Sequence, residues 1–289
     1  MKTSAIIRII TWSIVAIFLI VILVNVINGD EIIGFNIGFS GYNYDNSSKY
    51  LVADGVVNAK DINNIDVNWI SGKIKVVDYD GDTIEFYEEG SSNLDEDEKM
   101  RYLVEDGNLK IKFKKSRKFM AFSLFKSLNK TLILKVPSSI KDELNNFVVD
   151  TVSSPVEIEN LKSNNVSIEV VSGKVDLKNV KSEVLNVETV SGSTNISGDI
   201  DFIDVEAVSG KVTMNLENCP EEIKTETVSG SINIYIPEND GFTVEYDSVS
   251  GKFKCDFEVK MSKKEAIYKN GKSDFELETV SGGININKK

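Results

Sequence analysis

Histidine is absent from all 289 residues. That absence removes the usual general base of nucleophilic triads and the commonest zinc ligand, so chemistry resting on an imidazole is excluded. Cysteine occurs only at 219 and 255, a spacing that forms no zinc motif, and neither lies near the N-terminus, which excludes a lipoprotein-type anchor. Positive charge is also in short supply. Against 45 Asp and Glu stand 33 Lys and Arg, a net charge of -12, and a surface of that sign argues against a nucleic-acid ligand. There is no glycine-rich phosphate loop and no Gly-Gly-x-Gly-x-Asp calcium repeat, so no cofactor is expected.

What the chain has in abundance is one recurring phrase: an acid, a small residue, Val, Ser, Gly, a Lys or Ser, then alternating apolar residues. Its serines are Ser153, Ser172, Ser191, Ser209, Ser229, Ser250 and Ser281, at intervals of 19, 19, 18, 20, 21 and 31, with an earlier copy at Ser71. Near-constant spacing of this kind marks a repeat architecture. Aligned on the serine, the columns three and five residues later are apolar, as in Val175, Val212 and Ile232, and Leu177, Ile196 and Met214. The columns six and four before it are apolar too, as in Val166, Leu185 and Ile203, and Ile168, Val187 and Val205. Side chains alternate across a strand, so each repeat reads as strand, corner, strand and return. Two strands and two corners at about 3.3 Å per residue use about 18 to 20 residues, and coils stacked about 4.8 Å apart bury a face that one coil alone cannot. The expected fold is all-β: a parallel, β-helix-like β-solenoid with inserted hairpins.

The corners are then the pairs Ser71-Gly72, Ser172-Gly173, Ser191-Gly192, Ser209-Gly210, Ser229-Gly230, Ser250-Gly251 and Ser281-Gly282. Glycine suits a position of positive φ or close backbone approach, and the serine hydroxyl can bond backbone or the next coil's serine. A catalytic serine would need a base, and seven alike copies without histidine read as structure. Three residues before the serine stand Asp150, Glu169, Glu188, Glu206, Glu226, Asp247 and Glu278, an acidic ladder that is either a solvated face or a cation- or partner-binding surface. Lys73, Lys174, Lys211 and Lys252, two residues after the serine, are candidates to offset it. Carboxylates so uniform lack the contrasting environments that an acid and a base require. The one irregular candidate for glycan chemistry is Asp95 to Glu98 beside Lys114 to Lys118. Cys255 takes an inward column as a small hydrophobe.

Residues 1–30 read as a cytoplasmic tip and a transmembrane anchor. Ile9 to Ile27 is 19 nearly apolar residues, Lys2 and Arg8 precede it, Asp30 and Glu31 follow, and no A-x-A-like cleavage site is present. The expectation is a single span with everything after residue 30 outside the cell. Residues 31–60 are expected to be a loosely paired spacer, 61–289 the solenoid, and 82–137 an insertion of hairpins, with Glu105-Asp106-Gly107-Asn108 as one turn. Within the insertion, Phe119 to Phe125 is a core strand, a short helix or a membrane-touching loop. A last hairpin between 250 and 281 is expected to turn at Asn270-Gly271, and Lys288-Lys289 to oppose stacking at an open end.

The phrase Glu-Thr-Val-Ser-Gly-Ser at Glu188 to Ser193 and Glu226 to Ser231, Leu134 to Pro137 leading into the repeats, and Leu277 to Gly282 resemble the putative-adhesin β-strand-repeat family of unknown function. The resemblance covers about residues 60 to 289, and Ser154-Pro155 departs from its Ser-Gly corner. It implies a domain behind one N-terminal anchor helix in cell-envelope-stress accessory proteins of low-GC Gram-positive bacteria, with an envelope polymer or membrane protein as partner. It brings no catalytic residues. The functional expectation is a non-catalytic envelope binding module; a glycan-active β-helix enzyme and a polymerising scaffold are the alternatives.

Overall fold

The computed structural model describes residues 36–38, 41–52, 54–90, 94–116, 128–138 and 144–289. The expected anchor over 1–30 and the Phe119 to Phe125 segment lie outside the described residues. Among the described residues no helix is long and apolar enough to cross a membrane. Apart from three 3-10 turns at Ser47–Lys49, Ala59–Asp61 and Glu96–Glu98, the regular structure of the described residues is β.

The repeats stack in register as parallel coils. Val166 pairs with Leu185, Leu185 with Ile203, and Ile203 with Ile223; after the corner Val156 pairs with Val175, Val175 with Thr194, Thr194 with Val212, and Val212 with Ile232. These side chains are buried and, Thr194 apart, belong to one apolar cluster that joins the sheet of pre-serine strands to the sheet of post-serine strands. Each buried Val, Leu or Ile contributes about 1.5–3 kcal/mol, and stacking repeats that contribution coil after coil. A further inward column escapes the sequence reading. Thr151, Val170, Thr189, Ala207, Thr227 and Thr279, two before their serines, are all buried, whereas Ser248 in the outermost coil is half-buried.

The corner glycines answer to close approach. A Cβ on Gly192 would collide with the carbonyl oxygen of Gly173, and one on Gly210 with that of Gly192. Neighbouring corners are tied by backbone: Gly192 N–H donates to Ser209 O at 3.0 Å and Gly210 N–H to Ser229 O at 2.9 Å. Ser172, Ser191, Ser209, Ser229, Ser250 and Ser281 are exposed, while Ser71 Oγ donates to Leu128 O. Despite Ser154-Pro155, the Ser153 corner keeps its place, directly over Ser71.

Among the described residues nine coils stack, and both ends depart from chain order. The strand Asn64–Tyr79, which turns at Ser71, lies between the Ser153 coil and a coil made by Asn108–Lys112 and Lys130–Pro137. At the other end the Ser281 coil lies between the Ser229 and Ser250 coils. The intervals of 82 and 31 residues are therefore excursions around an end coil. Residues 82–137 contain the expected hairpin, Arg101–Glu105 against Asn108–Lys112, with Asp106 and Gly107 at φ 51° and 75° in its two-residue turn. They are also a coil of the stack, which corrects the reading as hairpins alone. Asparagine bonds run along its junction: Asn64 Nδ2 to Asn108 Oδ1 at 3.0 Å, Asn146 Nδ2 to Asn64 Oδ1 at 2.6 Å, and Asn165 Nδ2 to Asn146 Oδ1 at 3.1 Å.

Three further expectations are corrected. The last hairpin, Lys260–Ser262 with Glu265–Lys269, turns at Lys263-Lys264; Asn270-Gly271 instead carries the chain from one flank of Gly241–Ser250 to the other. Lys288 and Lys289 belong to the penultimate coil, where Lys289 Nζ donates to Leu216 O at 2.8 Å, so the stack ends on antiparallel strands rather than on a charged terminus. The supposed spacer packs firmly from residue 42. Tyr42, Tyr44 and Tyr50 are buried, Phe113 N–H donates to Tyr42 Oη at 3.1 Å, and Gly55–Asn58 pairs with the strand Thr83–Gly90. Antiparallel caps need only tight turns and leave no parallel edge for another stack to extend.

Candidate functional site

Alternation fixes where the acids go. With the columns at minus six, four and two facing inward, the column at minus three must face out. In space its order is Asp150, Glu169, Glu188, Glu206, Glu226, Glu278 and Asp247, each paired in register with the next. Asn68 and then Lys112 continue the column at one end, and Lys264 bonds Asp247 at the other. Seven carboxylates thus form one unbroken ladder that the coil swap at Ser281 leaves intact. Beside it, one residue before each serine, runs a half-buried column of Val152, Val171, Val190, Val208, Val228, Val280 and Val249.

Neighbouring unit charges about 4.8 Å apart repel by about 1 kcal/mol in water and about 3 at an effective dielectric of about 20. The titration behaviour reflects that crowding. Burial, then Glu169 and Asp66, push Asp150 up to about 7, against the lowering effects of Lys112 and of Asn68, whose Nδ2 donates to Asp150 Oδ2 at 2.6 Å. Burial raises Glu169 with help from Glu188, Glu188 with help from Asp204, Glu206 with help from Glu188 and Glu226, and Glu278 with help from Glu226. Asp204, on the same face two residues before Glu206, is raised by burial as well. Among the described residues the ladder's ion pairs are Lys224 with Glu226 at 3.2 Å and Lys264 with Asp247.

The lysines expected to offset the ladder do not reach it. Lys73 pairs with Glu157 on the next strand at 2.7 Å and Lys174 with Asp176 two residues on at 3.1 Å, both on the other sheet, because the corner turns the chain between column minus three and column plus two. Of the true end groups, Lys112 and Lys264 carried no repeat signal. Asn68 holds the ladder position in the Ser71 phrase and could have been found there; Lys112 lacks the corner that would align it.

Other sequence candidates resolve into structure. At Asp95 to Glu98, Asp95 N–H donates to the Glu98 carboxylate at 3.0 Å, Lys115 pairs with Asp97 at 2.9 Å, and Arg101 donates to Glu96 O at 2.8 Å. These contacts close a turn. Cys219 and Cys255 are free thiols, both half-buried and both raised by burial. Cys255 is less enclosed than its inward column implies because its coil is the last in the stack. Among the described residues no three His, Cys, Asp or Glu side chains converge to hold a metal ion. A buried pair that sequence reasoning missed is Lys130 with Glu88 at 2.6 Å. The ammonium lies 4.2 Å from the Phe113 ring centroid and 5.1 Å from that of Trp69, and donates to Glu98 O at 2.7 Å.

A family model described as Toastrack DUF4097 matches residues 62–287. The chain belongs to this family. The Toastrack match takes in the nine described coils, starts two residues before the strand Asn64–Tyr79, and is the family that the Val-Ser-Gly phrase resembles. Two solved structures are similar to the chain. One is titled a putative cell adhesion protein from Clostridium sporogenes, with 15% identity over 83% of this chain and 100% of that one and a TM-score of 0.38. The other is titled a putative adhesin from Bacteroides fragilis, with 16% identity over 83% of this chain and 97% of that one and a TM-score of 0.42. No curated protein matches.

Proposed function

We propose that this Toastrack protein is a non-catalytic, single-pass membrane protein whose β-repeat domain stands outside the cell as an adhesin-like envelope or envelope-stress binding module, with the ladder face as its recognition surface. The observation that supports this most is the sameness of the ladder. Seven carboxylates share one face and one spacing, and those that shift do so in one direction for one leading cause. Acid–base catalysis needs two groups driven apart; a periodic partner needs one group repeated. The partner that such a face suits is cationic, because the ladder has few counter-charges of its own and gains most from borrowed ones. Anchoring is supported by the apolar stretch Ile9 to Ile27 and its flanking charges.

The test is to add protease to intact cells producing the full chain and to titrate the purified chain with poly-lysine. Digestion of the repeat domain from outside, with poly-lysine binding weakened about tenfold or more by a Glu188→Gln, Glu206→Gln double change, is the expected result. A protected domain, or envelope-glycan hydrolysis abolished by one carboxylate change, would contradict it.

A further inference from the structure

We propose that the end of the stack carrying Leu51, Val56 and Val104 rests against the outer surface of the lipid bilayer, holding the acidic coils away from it. This rests on the anchored reading above. Five large hydrophobic side chains stand well exposed among the described residues, and three of them lie on the outer strands of this one end: Leu51 at 58%, Val56 at 66% and Val104 at 40%. Leu51 lies on the short strand beyond Arg101–Glu105 in one sheet, and Val56 on the strand beyond Thr83–Gly90 in the other. The two outermost strands of the two sheets thus both present aliphatic side chains to solvent. Soluble surfaces scatter such residues, and their concentration at one end marks an interaction surface.

Charge separates the same end from the rest. The described cap, residues 41–60, 83–116 and 128–137, carries 10 Lys and Arg against 11 Asp and Glu, a net of -1. The described coils in 61–82, 138 and 144–289 carry 17 against 30, a net of -13. An anionic membrane surface therefore repels the sides of the stack and is nearly indifferent to this end, which selects an upright attitude over a side-lying one. Chain length agrees. From Ile27, the last residue of the apolar stretch, to Asn36, where the described chain begins, are eight intervening residues, which span at most about 30 Å when extended. The cap that receives this tether is the cap with the exposed aliphatics. Shallow insertion of three aliphatic side chains adds modest affinity to an existing tether and mainly sets orientation.

The experiment uses the full chain with Cys219 and Cys255 replaced by Ser, reconstituted in vesicles of phosphatidylcholine and phosphatidylglycerol containing a nitroxide lipid. An environment-sensitive fluorophore is placed at Val56→Cys or, separately, at Leu51→Cys and Met261→Cys, the last being exposed at the opposite end. Quenching at 56 and 51 about twofold or more above that at 261 is the expected result. Equal, weak quenching at all three positions in a chain that stays with the vesicles would overturn the docking and leave the anchor standing. A chain that neither inserts nor floats with vesicles overturns both. Concentration-dependent shielding at 56 in lipid-free detergent assigns the surface to a second copy and also overturns the proposal.

Discussion

The middle coils and the end coils solve the same packing problem with different side chains. From Val156 to Ile236 the buried hydrophobic residues are non-aromatic and stack column on column, with the buried Thr189, Thr194, Thr225 and Thr227 completing the same columns. At the ends the core turns aromatic. Trp69 meets Phe113 edge-on at 4.9 Å beside Lys130, while Phe242 stacks on Phe275 at 5.1 Å and packs against Phe257 and Tyr268. A middle coil has a copy of itself on both sides, so Val on Val suffices. An end coil has a neighbour on one side alone, and large rings cover more area per residue. Uniformity builds length, and irregularity stops it.

The largest expected effect lies in the irregular part. Lys130→Ala leaves Glu88 buried without its partner and should cost about 3–5 kcal/mol in urea unfolding, whereas the double change Lys130→Met, Glu88→Gln recovers most of that. Equal losses for the two would mean that packing, not the pair, closes this end. In the regular part Leu185→Ala should cost about 3 kcal/mol, against less than about 1 for Cys255→Ala in the outermost coil. Similar costs would erase the distinction between middle and end.

Corners make a smaller contrast. Gly192→Ala forces its Cβ into Gly173's carbonyl and should cost about 2 kcal/mol in thermal unfolding. A Cβ on Gly283 meets nothing nearer than 3.5 Å, so Gly283→Ala should stay within about 0.5. The smallest effect is in the ladder. Carboxyls raised in the folded state bind protons more tightly there than when unfolded, so stability rises as pH falls from about 7 toward the ordinary carboxylate range near 4. Asp150→Asn should therefore stabilise the protein at pH 8 by on the order of 1 kcal/mol and flatten this slope. A slope of opposite sign in denaturation curves at pH 5 and 8 would show the ladder to be compensated by cations.

How much of this was legible follows the same divide. Period, inward columns and corner glycines could be read from the sequence because Val166, Leu185, Ile203 and Ile223 repeat one environment, and parity alone then turned Glu169 through Glu226 outward. The inserted coil was hidden because Asn108–Lys112 and Lys130–Pro137 have no Val-Ser-Gly corner between them, and Lys130 stands opposite Gly72 in its place. The swap of the Ser281 and Ser250 coils was hidden for another reason: identical corner phrases stack equally well in either order. Only Gly241–Ser250 accepting an antiparallel strand on its free flank decides which coil is last. The spacer was misread because its tyrosines have no periodic partner; they are matched to Phe113 and Lys114, which lie about 70 residues away.

Cross-linking across the swapped coils measures the stacking order directly. In a chain with Cys219 and Cys255 replaced by Ser, Glu226→Cys with Glu278→Cys places two thiols on adjacent coils, about 4.8 Å apart along the ladder, within disulfide reach. Glu226→Cys with Asp247→Cys spans the intervening coil, about 9.6 Å, beyond that reach. Efficient oxidation of the 226–278 pair and none of the 226–247 pair is the predicted result. The reverse pattern, which a stack in chain order would give, would contradict the account.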